Sequence, residues 1–268
     1  MYIRAVEHVA CDLCGADRAE PRLRKDEWTL VRCPQCSLVY LDPRPEPEVI
    51  ERDFDWFRHS PIQTGARRKV ESPLRRLLRL TRGKGLLRRK RREDVVLGRI
   101  REFAPQGRFL DVGCGDGFMV EAMAQAGYEA HGLDISDGAV AYAHSLGRTT
   151  VCKGTIQQAP FPAAHFDALL LMSYLEHEHH PTTAVTKARD LLRPGGALFV
   201  KVPHYGCWNR RLLGRAWSGY FFPQHLYYFT PRTIARLFEK CGLVVVRNGF
   251  WDHVPLSDVL WATARKPG

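Results

Sequence analysis

The sequence predicts an α/β fold: a seven-stranded, mostly parallel sheet with flanking helices, preceded by a small N-terminal ribbon stapled by metal. Three observations predict it. From Arg108 onward, short apolar runs alternate with helix-like segments, the pattern of parallel strands joined by crossover helices. A glycine-rich turn, Gly113-Cys114-Gly115-Asp116-Gly117, follows the first of those runs, Phe109-Leu110-Asp111-Val112. Two Cys-x-x-Cys pairs, Cys11/Cys14 and Cys33/Cys36, stand near the N-terminal end with eighteen residues between them.

Residues 1 to about 45 hold the cysteine pairs and little periodic structure. Four thiolates complete a tetrahedral zinc site with no open position, so the metal expected here is structural. Pro34, in Cys-Pro-x-Cys, favours the tight turn that aims both sulfurs inward. Leu41-Asp42-Pro43-Arg44-Pro45-Glu46-Pro47 is a proline-rich exit, extended or turned. Residues 46–104 read as a charged connecting region. Within it, 67–101 carries fifteen Lys/Arg against three acids, Glu71, Glu93 and Asp94, which accounts for the whole chain's net +11. Leu74, Leu77, Leu78, Leu86 and Leu87 lie among those arginines, which suits an amphipathic helix on an anionic membrane surface or a phosphate-bearing substrate; a solvated face is the plainer reading.

Residues 105–268 carry the sheet. Strands are expected near 108–112, 129–133, 149–152, 166–172, 196–202, 243–248 and 258–265, and helices near 117–126, 137–146, 182–192 and 231–240. Arg193-Pro194-Gly195-Gly196 breaks helix from strand. Thr230-Pro231 opens a helix, Thr as N-cap and Pro at the first helical position, and Cys241-Gly242 closes it.

With 268 residues, 45% of them hydrophobic, the chain has room for one large domain and a small one. No run of eighteen apolar residues predicts a membrane span, and the N-terminus lacks a signal-peptide core. Of eight cysteines, four sit in the two pairs, which suits zinc in a reducing compartment better than a disulfide framework. A cytoplasmic protein is expected, at most peripheral to a membrane.

The glycine turn narrows the function. Lacking Cβ atoms, it lets backbone approach a ligand closely. Asp134 follows Gly113 by twenty-one residues and ends the next apolar run, the place of an acid that bonds the ribose of a nucleotide-type cofactor. A dinucleotide fingerprint requires glycine at 118, where this chain has Phe118. Gly-x-Gly-x-Gly with that spaced aspartate resembles motif I of the class I S-adenosylmethionine (SAM) methyltransferases. The resemblance continues through Gly154-Thr155, Phe161-Pro162-Ala163-Ala164-His165-Phe166-Asp167, Ser173-Tyr174-Leu175-Glu176-His177 and Leu192-Arg193-Pro194-Gly195-Gly196. Leu213-Gly214-Arg215-Ala216-Trp217 with Pro223-Gln224-His225-Leu226-Tyr227-Tyr228-Phe229-Thr230 is similar to a subgroup in which a zinc-ribbon-like N-terminus precedes the methyltransferase. The resemblance implies a Rossmann-like fold and SAM bound by Asp111, Gly113, Gly115, Gly117, Asp134, Ile135, Thr155, Ile156 and Ser173. Thr155 stands where many relatives carry an acid facing the adenine amino group, so backbone groups of Thr155 and Ile156 are expected to substitute.

Methyl transfer to a hydroxyl needs positioning and a base. The candidates are Glu176, His177, His204 and His225, each with a structural role as the alternative. Ubiquinone-pathway O-methyltransferases resemble the Glu176-His177 loop and use its Glu-His in a metal site with an acid three residues earlier; that position is Ser173 here. His179 and His180 read as exposed loop residues. The aromatic segment 204–229 reads as an acceptor lid, or as the core of an inserted subdomain. The expected activity is SAM-dependent O-methylation of a small-molecule or sugar/glycan-pathway acceptor. An RNA methyltransferase gripping its substrate through ribbon and basic run is one alternative, weakened by the lack of an Asn/Asp-Pro-Pro-Tyr motif. A non-catalytic SAM-binding adaptor is the other, and the intact glycines and Asp134 count against it.

Overall fold

The computed structural model describes residues 5–53 and 92–268. Most of the arginine-rich 67–101 segment, and the amphipathic helix expected on it, lie outside the described residues.

Five short strands open the chain: β1 (Val6–Glu7), β2 (Glu20–Lys25), β3 (Trp28–Arg32), β4 (Val39–Leu41) and β5 (Arg44–Pro45), followed by α1 (Pro47–Asp53). β2, β3 and β4 form an antiparallel meander, and β1 pairs with β5. The sequence shows no clear period here because β2 is exposed on nearly every residue while β4 is buried on all three. Neither strand has the one wet and one dry face that produces alternation. The Cys-x-x-Cys turns close alike: the Gly15 N–H donates to the Cys11 carbonyl (2.7 Å) and the Ser37 N–H to that of Cys33 (3.0 Å).

The larger part runs α2 (Arg92–Phe103), β6 (Arg108–Val112), α3 (Phe118–Gln125), β7 (Glu129–Asp134), α4 (Asp137–Ser145), β8 (Val151–Lys153), β9 (Phe166–Met172), α5 (Pro181–Leu191) and β10 (Leu192–Pro203). There follow α6 (Trp208–Leu213), a 3₁₀ turn (Gly214–Ala216), β11 (Tyr227–Tyr228), α7 (Pro231–Lys240), β12 (Val244–Arg247), a second 3₁₀ turn (Phe250–Asp252) and β13 (Val259–Arg265). Seven strands form one sheet in the order β12-β13-β10-β9-β6-β7-β8. β8, β7, β6, β9 and β10 are parallel, β13 alone runs against them, and β12, antiparallel to β13, runs with them again, so the mostly parallel seven-stranded sheet is present. β9 is buried on both faces, six of its seven residues fully, as a central parallel strand must be.

The helix boundaries follow local chemistry. Thr230 and Thr233 close a capping box at the start of α7. Arg193-Pro194-Gly195-Gly196 is a bulge inside β10 rather than its start. Gly196 is required there, because a Cβ would lie 2.9 Å from the Arg193 carbonyl and 3.0 Å from that of Phe166.

The ribbon does not hang free. β11, from the larger part, adds as the fourth strand of the ribbon sheet, pairing Tyr227 with Tyr40 and Tyr228 with Val39. Buried apolar residues of both parts belong to one continuous cluster. Arg44, 2% exposed, donates to Glu7 Oε1 (2.8 Å), the His179 carbonyl (2.7 Å) and the Tyr227 hydroxyl (2.9 Å). His179 is therefore not an exposed loop residue. It is buried, with Nε2 3.0 Å from the Pro45 carbonyl, because β5 folds over it, a contact between positions far apart in sequence.

Removing Arg44 leaves the His179 carbonyl and the Tyr227 hydroxyl buried without this donor. Arg44→Ala should lower the unfolding free energy by about 3 kcal/mol, at the lower end for breaking a buried ion pair since Glu7 is partly exposed. Chemical denaturation of parent and variant measures it.

Candidate active site

At the carboxyl end of β6 the chain turns through Gly113, Gly115 and Gly117, with φ of 71°, 56° and 72°. All three are left-handed, the conformation that L side chains resist. At Gly113 space matters as well, since a Cβ would lie 2.9 Å from the ring of Tyr174. Asp134, at the carboxyl end of β7, holds the turn: its Oδ2 accepts from the Gly115 N–H (2.7 Å) and its Oδ1 from the Ser136 N–H (3.0 Å). The Gly113 and Cys114 N–H groups donate to the Leu133 carbonyl at 2.8 and 3.0 Å. Asp111 is buried in β6, Ile135 is exposed beside Asp134, and Ile156 is fully buried. Thr155 is partly exposed, its hydroxyl turned to the Gln158 side chain (3.4 Å). Ser173 follows β9 with φ of 57°, its N–H bonded to the Lys201 carbonyl (2.8 Å). These residues line the sheet's carboxyl end, where open α/β sheets bind ligands. The left-handed turn and its aspartate suit a cofactor with a ribose and a polar tail.

A second cluster lies on the loop after β9. Glu176, His177 and His225 bring a carboxylate oxygen and ring nitrogens within 4.8 Å of one another. His177 Nδ1 is 2.9 Å from the Gln224 carbonyl, and His225 Nδ1 is 2.9 Å from that of Gly219. A carbonyl only accepts, so each Nδ1 carries the proton and each Nε2 offers a lone pair. The two rings stand edge to face at 4.8 Å. Glu176 is fully enclosed and its Oε2 has no hydrogen-bond partner. Burial pushes its pKa up to about 8. Burial, together with the His225 ring, pulls His177 down to about 3, and burial lowers His225 too. Such a group can hold a shared proton or a cation. His204 is not in it; its ring packs on His253 at 5.7 Å.

Tyr174 joins the two clusters and was not singled out in the sequence. Its ring abuts Gly113, and its hydroxyl donates to Glu178 Oε2 at 2.5 Å. The signal was its place between the glycine turn's facing strand and Glu176. The aromatic segment divides: Trp217, Tyr227, Tyr228 and Phe229 are core, while Phe221, half exposed, stands 5.5 Å from the His225 ring.

The four paired cysteines form a third cluster, their sulfurs within 4.8 Å of one another, with Cys11–Cys36 and Cys14–Cys33 each at 3.4 Å. A tetrahedral zinc with bonds of about 2.3 Å needs sulfurs roughly 3.8 Å apart, so the donor set fits.

A family model described as a methyltransferase domain matches residues 67–248. The ubiquinone biosynthesis O-methyltransferase of Xanthomonas campestris pv. campestris (strain B100) is 36% identical over 115 residues, 41% of this chain and 47% of that protein. That of Dinoroseobacter shibae is 29% identical over 161 residues, 56% of this chain and 65% of the relative. The chain spans about half the length of the first curated relatives it matches. Among solved structures, the Burkholderia thailandensis 1,6-didemethyltoxoflavin-N1-methyltransferase, with S-adenosylhomocysteine bound, superposes with a TM-score of 0.58 over 93% of this chain and all of that one, at 16% identity. The magnesium protoporphyrin IX methyltransferase of Synechocystis PCC 6803 gives 0.54 over 82% of this chain and 99% of that one, at 18% identity. At such identities the likeness is one of fold.

The two buried groups give opposite pH dependences. Glu176 keeps its proton to about pH 8 when folded, against 4.5 ordinarily, so the native state binds the extra proton and stability falls as pH rises from about 4.5 to 8. His177 stays neutral to about pH 3 against 6.5 ordinarily, so stability falls as pH drops from 6.5 towards 3. Urea midpoints across pH 5–9 should show Glu176→Gln flattening the alkaline decline and leaving the acid one.

Proposed function

This chain belongs to the methyltransferase-domain family, of class I and dependent on SAM, and we propose from that membership that it methylates a hydroxyl oxygen of a small-molecule acceptor. The observation that carries the proposal is the pair of unprotonated Nε2 atoms beside buried Glu176, joined through Tyr174 to the glycine turn. The ubiquinone-pathway relatives are named for O-methylation, which supports oxygen as the target. A sugar or glycan-pathway hydroxyl is the narrower class to test first.

When bound, SAM supplies an electrophilic methyl group on a sulfonium. Gly113, Gly115 and Gly117 would leave room for its tail, and Asp134 would accept from the ribose hydroxyls. Ile135, Thr155 and Ile156 would border the adenine, with Asp111 and Ser173 completing the residues that would hold the cofactor. His225 takes the acceptor's hydroxyl proton on Nε2 as the oxygen–methyl bond forms. His177, with its pKa near 3, orients the acceptor and does not keep the proton. Glu176, which keeps its proton to about pH 8, lies beside the two rings as a neutral acid. The three-part division at residues 45 and 104 belongs to this reading, with zinc on Cys11, Cys14, Cys33 and Cys36 as a structural staple. So does a cytoplasmic setting, and so does recruitment of an anionic surface or phosphate-bearing substrate by 67–101. Among the described residues no helix is long and apolar enough to cross a membrane.

Two variants separate binding from chemistry. Asp134→Ala should weaken SAM binding by about 10- to 100-fold in a calorimetric titration, the loss of about 1.5–3 kcal/mol expected of a hydrogen bond to a charged group. His225→Ala should keep SAM affinity, lower kcat by about 10²–10⁴-fold and lose the acidic limb of the pH–rate profile. Equal losses of activity and folding stability in His225→Ala would make that histidine structural.

Metal analysis of the purified chain should give one zinc, lost in Cys33→Ser. Because β4 carries β11, chelation should abolish turnover while SAM affinity, measured separately, persists. Stoichiometric zinc in a variant lacking all four cysteines would refute the staple.

A further inference from the structure

One surface is left unexplained by methyl transfer. Among the described residues, α6, the turn at Phe250–Asp252 and the loop after it present large apolar side chains to solvent: Trp208, Leu212, Leu213, Phe250, Trp251 and Leu256 are all more than half exposed, Trp251 by 79% and Leu212 by 78%. Hydrogen bonds tie α6 to the loop that follows the turn: the Trp208 N–H donates to the Pro255 carbonyl (2.7 Å) and the Asn209 amide to that of Leu256 (2.8 Å). Within α6, Trp208 and Leu212 lie one turn apart on the same side of the helix.

These rings are not exposed because their turn is loose. Asp252, buried beneath them, accepts from Arg99 of α2 (2.6 Å) and from Arg247 of β12 (2.9 Å), and its Oδ2 accepts from the Gly249 N–H (3.1 Å). The polar residue of Phe250-Trp251-Asp252 is anchored inward and the two aromatic ones are held outward. A soluble surface has no use for such a turn, because large apolar side chains held together in water are a standing cost that contact with another apolar phase removes.

The charge around the patch says which phase. From Leu191 to Phe238 the chain has no acidic residue, while Arg211 and Arg215 are exposed on and just after α6. Twelve of the fifteen Lys/Arg in 67–101 precede α2 in sequence and three lie on it, among them Arg99, which pins the turn. Aromatic and leucine side chains set among arginines are the composition of an interfacial anchor: the rings and leucines enter the acyl boundary and the arginines stay at the headgroups. We infer that α6 and the Phe250–Asp252 turn form a docking face for an anionic phospholipid surface. Since α6 leaves β10 at the carboxyl end of the sheet, this face would bring the acceptor side of the molecule to the bilayer.

The test is co-sedimentation of the full chain with vesicles of phosphatidylcholine alone and of phosphatidylcholine with phosphatidylglycerol, together with tryptophan emission. The parent should pellet with the anionic vesicles, shift its emission to the blue, and bind less as salt rises. Leu212→Ser combined with Trp251→Ser should cut the bound fraction about tenfold or more, because apolar insertion is lost with every arginine still present. SAM affinity and thermal unfolding, measured on the same variant, should match the parent, since both side chains are exposed. Arg211→Gln with Arg215→Gln should weaken binding chiefly at low salt. If the apolar double variant pellets like the parent, the patch is no anchor and the basic run alone carries binding. If the parent ignores anionic vesicles, or binds RNA in their place, the inference fails.

Discussion

The backbone of Leu226 is the joint on which the acceptor side depends. Its N–H donates to the Glu176 carbonyl (2.6 Å) and its carbonyl accepts from the Leu41 N–H (2.8 Å). One buried residue thus bridges the last residue of β4 and the loop that carries Glu176 and His177, with His225 immediately before it. On its other side, Tyr227 and Tyr228 complete the ribbon sheet. The bonds lie in an apolar interior, where leaving a backbone group unpaired costs far more than in water. The ribbon therefore cannot shift without moving the histidines. The N-terminal module and the segment that carries His225 thus share one sheet.

The same enclosure explains the state of Glu176. A lone ionised carboxylate with one unpartnered oxygen would be expensive to bury, and the group instead keeps its proton towards neutral pH. Its backbone carbonyl is doubly used, by the N–H groups of Leu226 and Tyr227, so the side chain is held in place by main-chain bonds and not by its own charge. The neighbouring rings, each committed through Nδ1 to a carbonyl, are fixed in tautomer. The cluster pairs an acid that resists ionisation with two imidazoles that resist protonation, an arrangement that protein environments build where protons are moved.

The parts of this structure that were legible in the sequence are those that depend on neighbours in the chain. β6, β9, α4 and α7 lie within a residue or two of their expected bounds, because apolar period, the Thr230 cap and the left-handed glycines act over a few positions. The four cysteines meet as the spacing of their two Cys-x-x-Cys turns led one to expect. What stayed hidden is non-local. β11 is two residues long and exists only because β4 offers it an edge. Arg44, in a proline-rich exit, gave no sign that it would be buried against His179, and His179 in turn looked like loop. Tyr174 gained its place from the turn it faces across the sheet. The aromatic segment could not be divided into lid and core by pattern, since rings pack in either setting.

That difference in range also divides the site. The glycine turn and its aspartate are built from one turn, one strand end and the hydrogen bonds between them, all within residues 109–136. None of those bonds involves a residue of the ribbon. The acceptor side is assembled from residues near 40, 176 and 225, and its geometry exists only when all three segments are docked. Loss of long-range order, at the cysteine cluster, the clasp at Arg44 or the pairing of β4 with β11, must therefore reach the Glu176, His177 and His225 cluster first.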